Sequence, residues 1–412
     1  MEKLHDSLDY SLVGVIPDFG PLTIEERIMN LAGKRIGVVA GDVGGFKSAL
    51  RPLNFALSAG VVVHAYCMAG SAAQIRDRKL VLDSEISVAV MPESKDGAVG
   101  FAISDFDLMV VTATQSLGDQ IVPATVLTAE AIMATKAPVL ALQDMYGSFH
   151  DTLHILKKRG VLDKIRCLCV SDAFSKDLLV KAGYDLGERI VVTGGPQFDA
   201  VPDMLPGWLM KREMLRQSLG ASDKTTVFLI VGGKGGTAEI LQILEDALVA
   251  MDRVDDSMVI FRPHPGAPDD DKLATADYLA KTKMTYFKDV DQGVASSTDA
   301  LLPAAEYVLS SFGTTNTLGI LCQMPGVIYV GTPGCQADLR RQKKLDRPPE
   351  VEHGAAWYVQ SPVELEYVIR NVGAEGKSVA TAKIKEVQQA MGSYVDGNAA
   401  KRVYEQMKRL LA

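Results

Sequence analysis

Short β-branched runs alternate with helix-length stretches along nearly the whole of this chain, and that alternation restricts the fold more than any other feature. RIGVVA (35–40), VVVHAYC (61–67), ISVAVM (86–91), DLMVVTA (107–113), VLALQD (139–144), IRCLCVS (165–171) and RIVVTG (189–194) read as strands. Amphipathic stretches of helical length lie between several of them, at 52–58, 124–134 and 175–182. Strands and helices in strict succession predict a doubly wound parallel sheet with helices on both faces, an α/β Rossmann-like domain.

The pattern breaks between Asp199 and Trp208, where VPDMLPGW packs two prolines and a glycine into a few residues before the charged helix KREMLRQSLG. A second series follows: TVFLIVGG (226–233), a helix over 237–251, MVIFRPHP, MTYFKD, AEYVLSS, a helix over about 314–322, and GVIYVG. The expected division is a first Rossmann-like domain over 1–200, a linker over 201–208, a second Rossmann-like domain over 209–392 and a C-terminal helix over 393–412 that crosses back to the first. Two such domains joined by one linker would face each other across a cleft, and 412 residues exceed what one hydrophobic core usually serves.

Three turns in the second half follow strand-like runs: VGGKGG (231–236), RPHPG (262–266) and SSFGTT (310–315). At least two open directly onto a helical pattern, so each sets free backbone N–H groups at the carboxyl edge of a parallel sheet, where anions bind. Gly232, Gly233, Gly235 and Gly236 let the main chain approach phosphate oxygens, Lys234 adds a point charge, and the helix opening at Thr237 presents its positive end. In RPHPG the prolines are expected to hold the loop extended, with the Arg262 and His264 side chains fixed at the strand end. Ser310, Ser311, Thr314 and Thr315 supply hydroxyls, either as helix caps or as phosphate ligands, with Gly313 between them. A merely structural glycine turn is the competing reading at each.

Composition removes other classes. Charged residues make up 23% of the chain, the formal charge is −8 and no long basic run exists, so no nucleic-acid partner is expected. No apolar run approaches the roughly 20 residues of a membrane span, and the amino terminus lacks a signal-peptide pattern, so no transmembrane segment and a cytoplasmic location are expected. The five cysteines are odd in number and mostly sit in apolar runs, which reads as buried free thiols.

At this point the residues carry a resemblance. GDVGGFKSALRPLNFALSAGVVVHAY resembles the opening of GT-B glycosyltransferases, where a glycine-rich loop, here with Gly44 and Gly45, leads into a helix with an early proline. VGGKGGTAEILQIL resembles the donor-phosphate loop of MurG-type transferases, and GYDLGERIVVTGGPQFDA is similar to the stretch before the linker in UDP-GlcNAc 2-epimerases. RPHPG with Ser310 and Ser311 resembles the His-Pro and Ser-Ser elements of bacterial sialyltransferases and CDP-glycerol-type polymerases. The resemblance covers roughly residues 35–330. It implies the two-domain GT-B fold, a nucleotide-sugar donor held by the second domain and an acceptor of unknown identity in the first. It implies work in polysaccharide or glycoconjugate biosynthesis, without a cofactor.

Two positions depart from the family. The stretch TTNTLGILCQMP lacks the acid that binds ribose hydroxyls, with Asn316 as the polar substitute, and Phe46 in GGFKS stands where many members place a histidine. The acid/base group is therefore sought elsewhere. QDMYGSFHD gathers Asp144, Tyr146, His150 and Asp151 at the edge of the first sheet, and Asp144 or His150 is the first choice. Asp42 in the first glycine loop and Asp119 are rivals, and helix capping competes with each. Gln197, beside Gly194, Gly195 and Pro196, is placed to touch the donor. His154 is four residues from His150, but no third ligand follows, so no metal site is expected. The expectations are a nucleotide-sugar glycosyltransferase, with a UDP-sugar 2-epimerase-like enzyme or a non-catalytic sugar-nucleotide-binding protein as alternatives. The oligomeric state is open, a homo-oligomer included.

Overall fold

The computed structural model describes residues 31–41, 43–67, 86–90, 106–112, 123–144, 150–184, 186–264, 267–282, 284, 286–287, 298–343, 345–373 and 378–412. They divide into two compact units, one formed by the residues before Val201 together with Ser393–Ala412, the other by Val201–Gly392.

The first unit is built on seven strands: β1 Arg35–Ala40, β2 Val62–Cys67, β3 Ile86–Val90, β4 Leu108–Thr112, β5 Val139–Leu142, β6 Ile165–Val170 and β7 Ile190–Val192. Their order is β3-β2-β1-β4-β5-β6-β7, and every pairing is parallel. Every residue of β4 and β5 is buried, as expected of strands covered on both faces. One face packs Ile36, Val38 and Leu108 against Leu53 of the helix Val43–Ser58 and against Val403, Tyr404 and Met407 of the helix Ala399–Leu411. The other packs Val39, Met109 and Val111 against Ile132 and Leu153.

The C-terminal helix is tied to the sheet by more than its apolar stripe. Asp199, buried after β7, accepts from the N–H groups of Ala399 and Ala400 at 2.8 Å each. Arg402 Nε donates to the Thr193 carbonyl at 2.6 Å. A carboxylate on the first-turn N–H groups satisfies donors that no residue within the helix can reach. Burial raises the Asp199 pKa, and those two hydrogen bonds oppose the shift.

The second unit repeats the design with six strands: β8 Thr226–Val231, β9 Ser257–Arg262, β10 Tyr286–Phe287, β11 Tyr307–Ser310, β12 Val327–Val330 and β13 Trp357–Val359. They run parallel in the order β10-β9-β8-β11-β12-β13. Both sheets thus reverse their winding beside their first strand, between β1 and β4 and between β8 and β11, and each has a topological switch point there. The core of the second unit packs Phe228, Ile230, Leu309 and Ile328 against Ile240 and Leu244 of the helix Thr237–Ala250 and against Leu365 and Ile369 of the helix Pro362–Gly373.

One sequence expectation changes in the structure, and two stretches gain detail. The first helix starts at Val43 instead of near residue 52, so Gly44 and Gly45 lie in its opening turn and Pro52 inside it. The span 201–208 holds a helical turn, Val201–Met204, and the start of the helix Trp208–Leu219. Two of the charges of that helix are paired: Arg216 Nη1 donates to Glu306 Oε1 at 2.9 Å, Arg212 pairs with the same carboxylate, and Glu306 Oε2 accepts from the N–H of Val227 at 2.7 Å. The strand β13 and the helices Asp269–Leu279 and Pro333–Lys343 were not read from the sequence.

Candidate functional site

The three turns of the second half meet at the switch point of the second sheet. Gly232 N–H donates to Arg262 O at 2.9 Å, extending the β8–β9 ladder by one step, and a Cβ built on Gly232 would fall 3.1 Å from His264 N. A Cβ on Gly233 would fall 2.7 Å from Ser311 Oγ. Glycine is therefore what lets the β8 turn touch both neighbours. Gly236 has φ +76°, and its Cβ would fall 2.6 Å from Cys335 N, so this position is closed to other residues by conformation and by space.

Ser310, the last residue of β11, and Ser311 after it are 0% and 2% exposed, and neither hydroxyl has a hydrogen-bond partner among the described residues. Buried hydroxyls without partners are costly, and these two stand beside the glycine turn. His264 is half-buried, and its pKa is lowered, first by burial, then by the Lys234 charge, with Asp338 opposing. Its imidazole is neutral near pH 7, a donor and acceptor and not a fixed cation. The Ala267 N–H donates to His264 O at 3.0 Å, so the chain returns to His264 within three residues and does not run on extended.

Other expected ligands are already engaged. The Thr237 N–H and hydroxyl both donate to Asp271, at 3.1 and 2.8 Å, so a carboxylate from the helix Asp269–Leu279 serves the positive end of the helix Thr237–Ala250. Thr315 Oγ1 donates to Asp299 Oδ1 at 2.9 Å, while Thr314 is exposed and Gly313 half-buried. Asn316 is turned into the fold, with Nδ2 donating to Ile328 O at 3.1 Å. A carboxylate does reach this helix, from distant sequence: Thr317 Oγ1 donates to Glu350 Oε1 at 2.9 Å.

Two residues missed by the sequence reading complete the surroundings. Asp338, on the helix Pro333–Lys343, is buried, and its Cβ lies 3.3 Å from where a Cβ on Gly235 would fall. Arg341 pairs with Asp338 and donates to the Lys234 carbonyl at 3.2 Å. The available signal was the βα alternation, which requires a helix after GVIYVG and so places ADLRR on the helix that leaves a carboxyl edge.

In the first unit only some of the candidates fall within the described residues. Gln197 Nε2 donates to the Asp144 carbonyl, which ties the end of β5 to the turn after β7. His150 opens the helix His150–Lys158, but its side chain, like that of Asp151, lies outside the described residues, as do Asp42, Asp119 and Tyr146. Gly45 O accepts from Ser48 Oγ at 2.6 Å inside the first helical turn. Among the described residues, no three His, Cys, Asp or Glu side chains are grouped as a metal site. No described helix is long and apolar enough to cross a membrane.

No protein-family model matches the sequence, and no curated protein does. Solved structures do. UDP-GlcNAc 2-epimerase from Neisseria meningitidis, bound to UDP-GlcNAc, is 13% identical with a TM-score of 0.58, over 91% of this chain and 100% of that one. A glycosyltransferase from Rickettsia africae is 15% identical with a TM-score of 0.56, over 92% and 98%. MurG from Acinetobacter baumannii is 14% identical with a TM-score of 0.53, over 91% and 99%. The chain has the GT-B fold. The neighbours with this fold include both glycosyltransferases and 2-epimerases, so the fold leaves the reaction to be argued from the site.

Proposed function

We infer that this GT-B protein is a glycosyltransferase using a nucleotide-activated sugar, with the donor's phosphates held by the Val201–Gly392 unit. The observation that carries the reading is the meeting of all three turns at one switch point, with Gly232 against His264 and Gly233 against Ser311. In parallel α/β sheets, ligands bind outside the carboxyl ends of the strands at such a point. The main chain of Gly233 and Gly235, the Ser310 and Ser311 hydroxyls, Lys234, Arg262 and His264 would hold the leaving diphosphate or monophosphate. Donors already fixed in position stabilise the charge that develops there better than mobile water does. Asp144, His150 and Asp42 stay as candidate acid/base residues on the acceptor side.

The 2-epimerase reading keeps a place because neighbours of that activity span nearly all of both chains. Calorimetry with UDP, CDP, CMP and GDP fixes the nucleotide class first. Donor turnover with and without added sugar acceptors then separates the reactions: the transferase reading expects turnover that requires an acceptor. Nucleotide release at the same rate without one supports the epimerase, and binding without turnover leaves a sugar-nucleotide-binding protein.

A further inference from the structure

The helix Pro333–Lys343 supplies a cation to the glycine turn that neither the turn sequences nor their order announces. Arg341 Nη2 donates to the carbonyl of Lys234, the central residue of VGGKGG, and pairs with Asp338 on the same helix face, three residues earlier. Asp338 is 3% exposed, its side chain packs where a Cβ on Gly235 would stand, and its Oδ2 lies 3.6 Å from the corresponding point on Gly233. A buried carboxylate this close to a phosphate cradle would repel the ligand if left unneutralised. The paired guanidinium neutralises it and is itself held by two acceptors, the carboxylate and the main chain of the turn.

We propose that Arg341 is a ligand of the donor's phosphate group and that Asp338 is its positioning residue. This rests on the nucleotide reading above. The guanidinium side chain is 43% exposed, so its remaining N–H donors reach solvent beside the turn while Asp338 fixes its orientation. Arginine suits the role because its planar fork pairs with phosphate oxygens in a way a lysine cannot match. The site then joins three cations, Lys234, Arg262 and Arg341, to the neutral His264 imidazole and the two serine hydroxyls. That combination fits a nucleoside diphosphate better than a monophosphate.

The test is calorimetric titration with UDP, CDP, GDP and the corresponding monophosphates. The proteins compared are the unmodified chain, Arg341→Ala, Arg341→Lys and Arg340→Ala. Arg340 is the control: one residue away on the same helix, it pairs with Asp346 and carries the same charge. The expected result is a loss of at least tenfold in diphosphate affinity for Arg341→Ala, partial recovery in Arg341→Lys and a change under about twofold for Arg340→Ala, with each protein titrated well below its own melting temperature because Arg341→Ala takes a partner from the buried Asp338 carboxylate. The monophosphates should lose less. Equal losses for the two alanine variants, with the unmodified chain binding normally, would overturn the role of Arg341 alone. An unmodified chain that binds no nucleotide would overturn the nucleotide reading and this proposal together.

Discussion

After β5, β6 and β7 of the first sheet, polar side chains tie neighbouring turns to one another, with Gln143 Nε2, Ser171 Oγ and Ser175 Oγ keeping no partner among the described residues, whereas after β8 and β11 of the second two serine hydroxyls stand directly beside a glycine turn. Gln143 Oε1 accepts from the N–H of Ser171, Asp172 Oδ1 accepts from that of Ser175, Gln197 holds the Asp144 carbonyl, and Asp199 with Arg402 fasten the C-terminal helix. On the second sheet, Ser310 and Ser311 keep hydroxyls without partners among the described residues beside a glycine turn that allows close approach. The same strand order, 3-2-1-4 around the switch point, underlies both edges. What differs is side-chain chemistry, and it teaches that a switch point offers a location for a site, while residues decide whether one is built there.

The largest effect should come from breaking the structural side of this contrast. Asp199→Ala removes a buried carboxylate that serves two helix N–H groups, and should cost about 3 kcal/mol of stability without altering nucleotide affinity. Urea unfolding read alongside calorimetry measures both. A stable variant with weakened nucleotide binding would mean that Asp199 belongs to a site instead of an anchor.

Glycines sharpen the contrast next. Gly236→Ala meets a left-handed backbone and the main chain of Cys335, and should destabilise by about 2 kcal/mol. Gly187→Ala, in the first unit, has φ +59° but nothing within 4 Å, and should cost about 1 kcal/mol from conformation alone. Equal costs in denaturant unfolding would remove the argument that the second turn is pressed against its neighbours.

On the functional side, His264→Ala should weaken nucleotide binding at least tenfold, about 1.4 kcal/mol, with an unchanged melting temperature. Unfolding of the variant, with normal affinity in what survives, would make His264 structural. The smallest effect is its pH dependence. Because the folded pKa lies below the ordinary 6.5, the unfolded chain takes up the proton first as pH falls. His264 therefore contributes stability that is present above pH 6.5 and lost as pH drops through its folded pKa. His264→Gln should flatten the stability curve below pH 6.5, and a curve identical to that of the unmodified chain would count against a half-buried, neutral imidazole there.

The amino-acid sequence by itself determined the α/β class, the strand runs and the positions of the three turns, because these depend on local periodicity and on the backbone freedom of glycine and proline. It also marked a C-terminal helix within 393–412, though not the carboxylate that receives that helix, since Asp199 lies 200 residues away. Only the tertiary structure brought Gly232 to His264 and Gly233 to Ser311, committed Thr237 to Asp271 and Thr315 to Asp299, and set Asp338 and Arg341 against the glycine turn. It likewise turned Asn316 toward β12 and began the first helix at Val43, where burial of Phe46 and Ala49 against the sheet outweighs the helix-weakening Gly44 and Gly45. Spacing along a chain fixes which groups a strand end presents. Which of them stay available for a ligand depends on partners supplied from other elements, and those partners are chosen by packing.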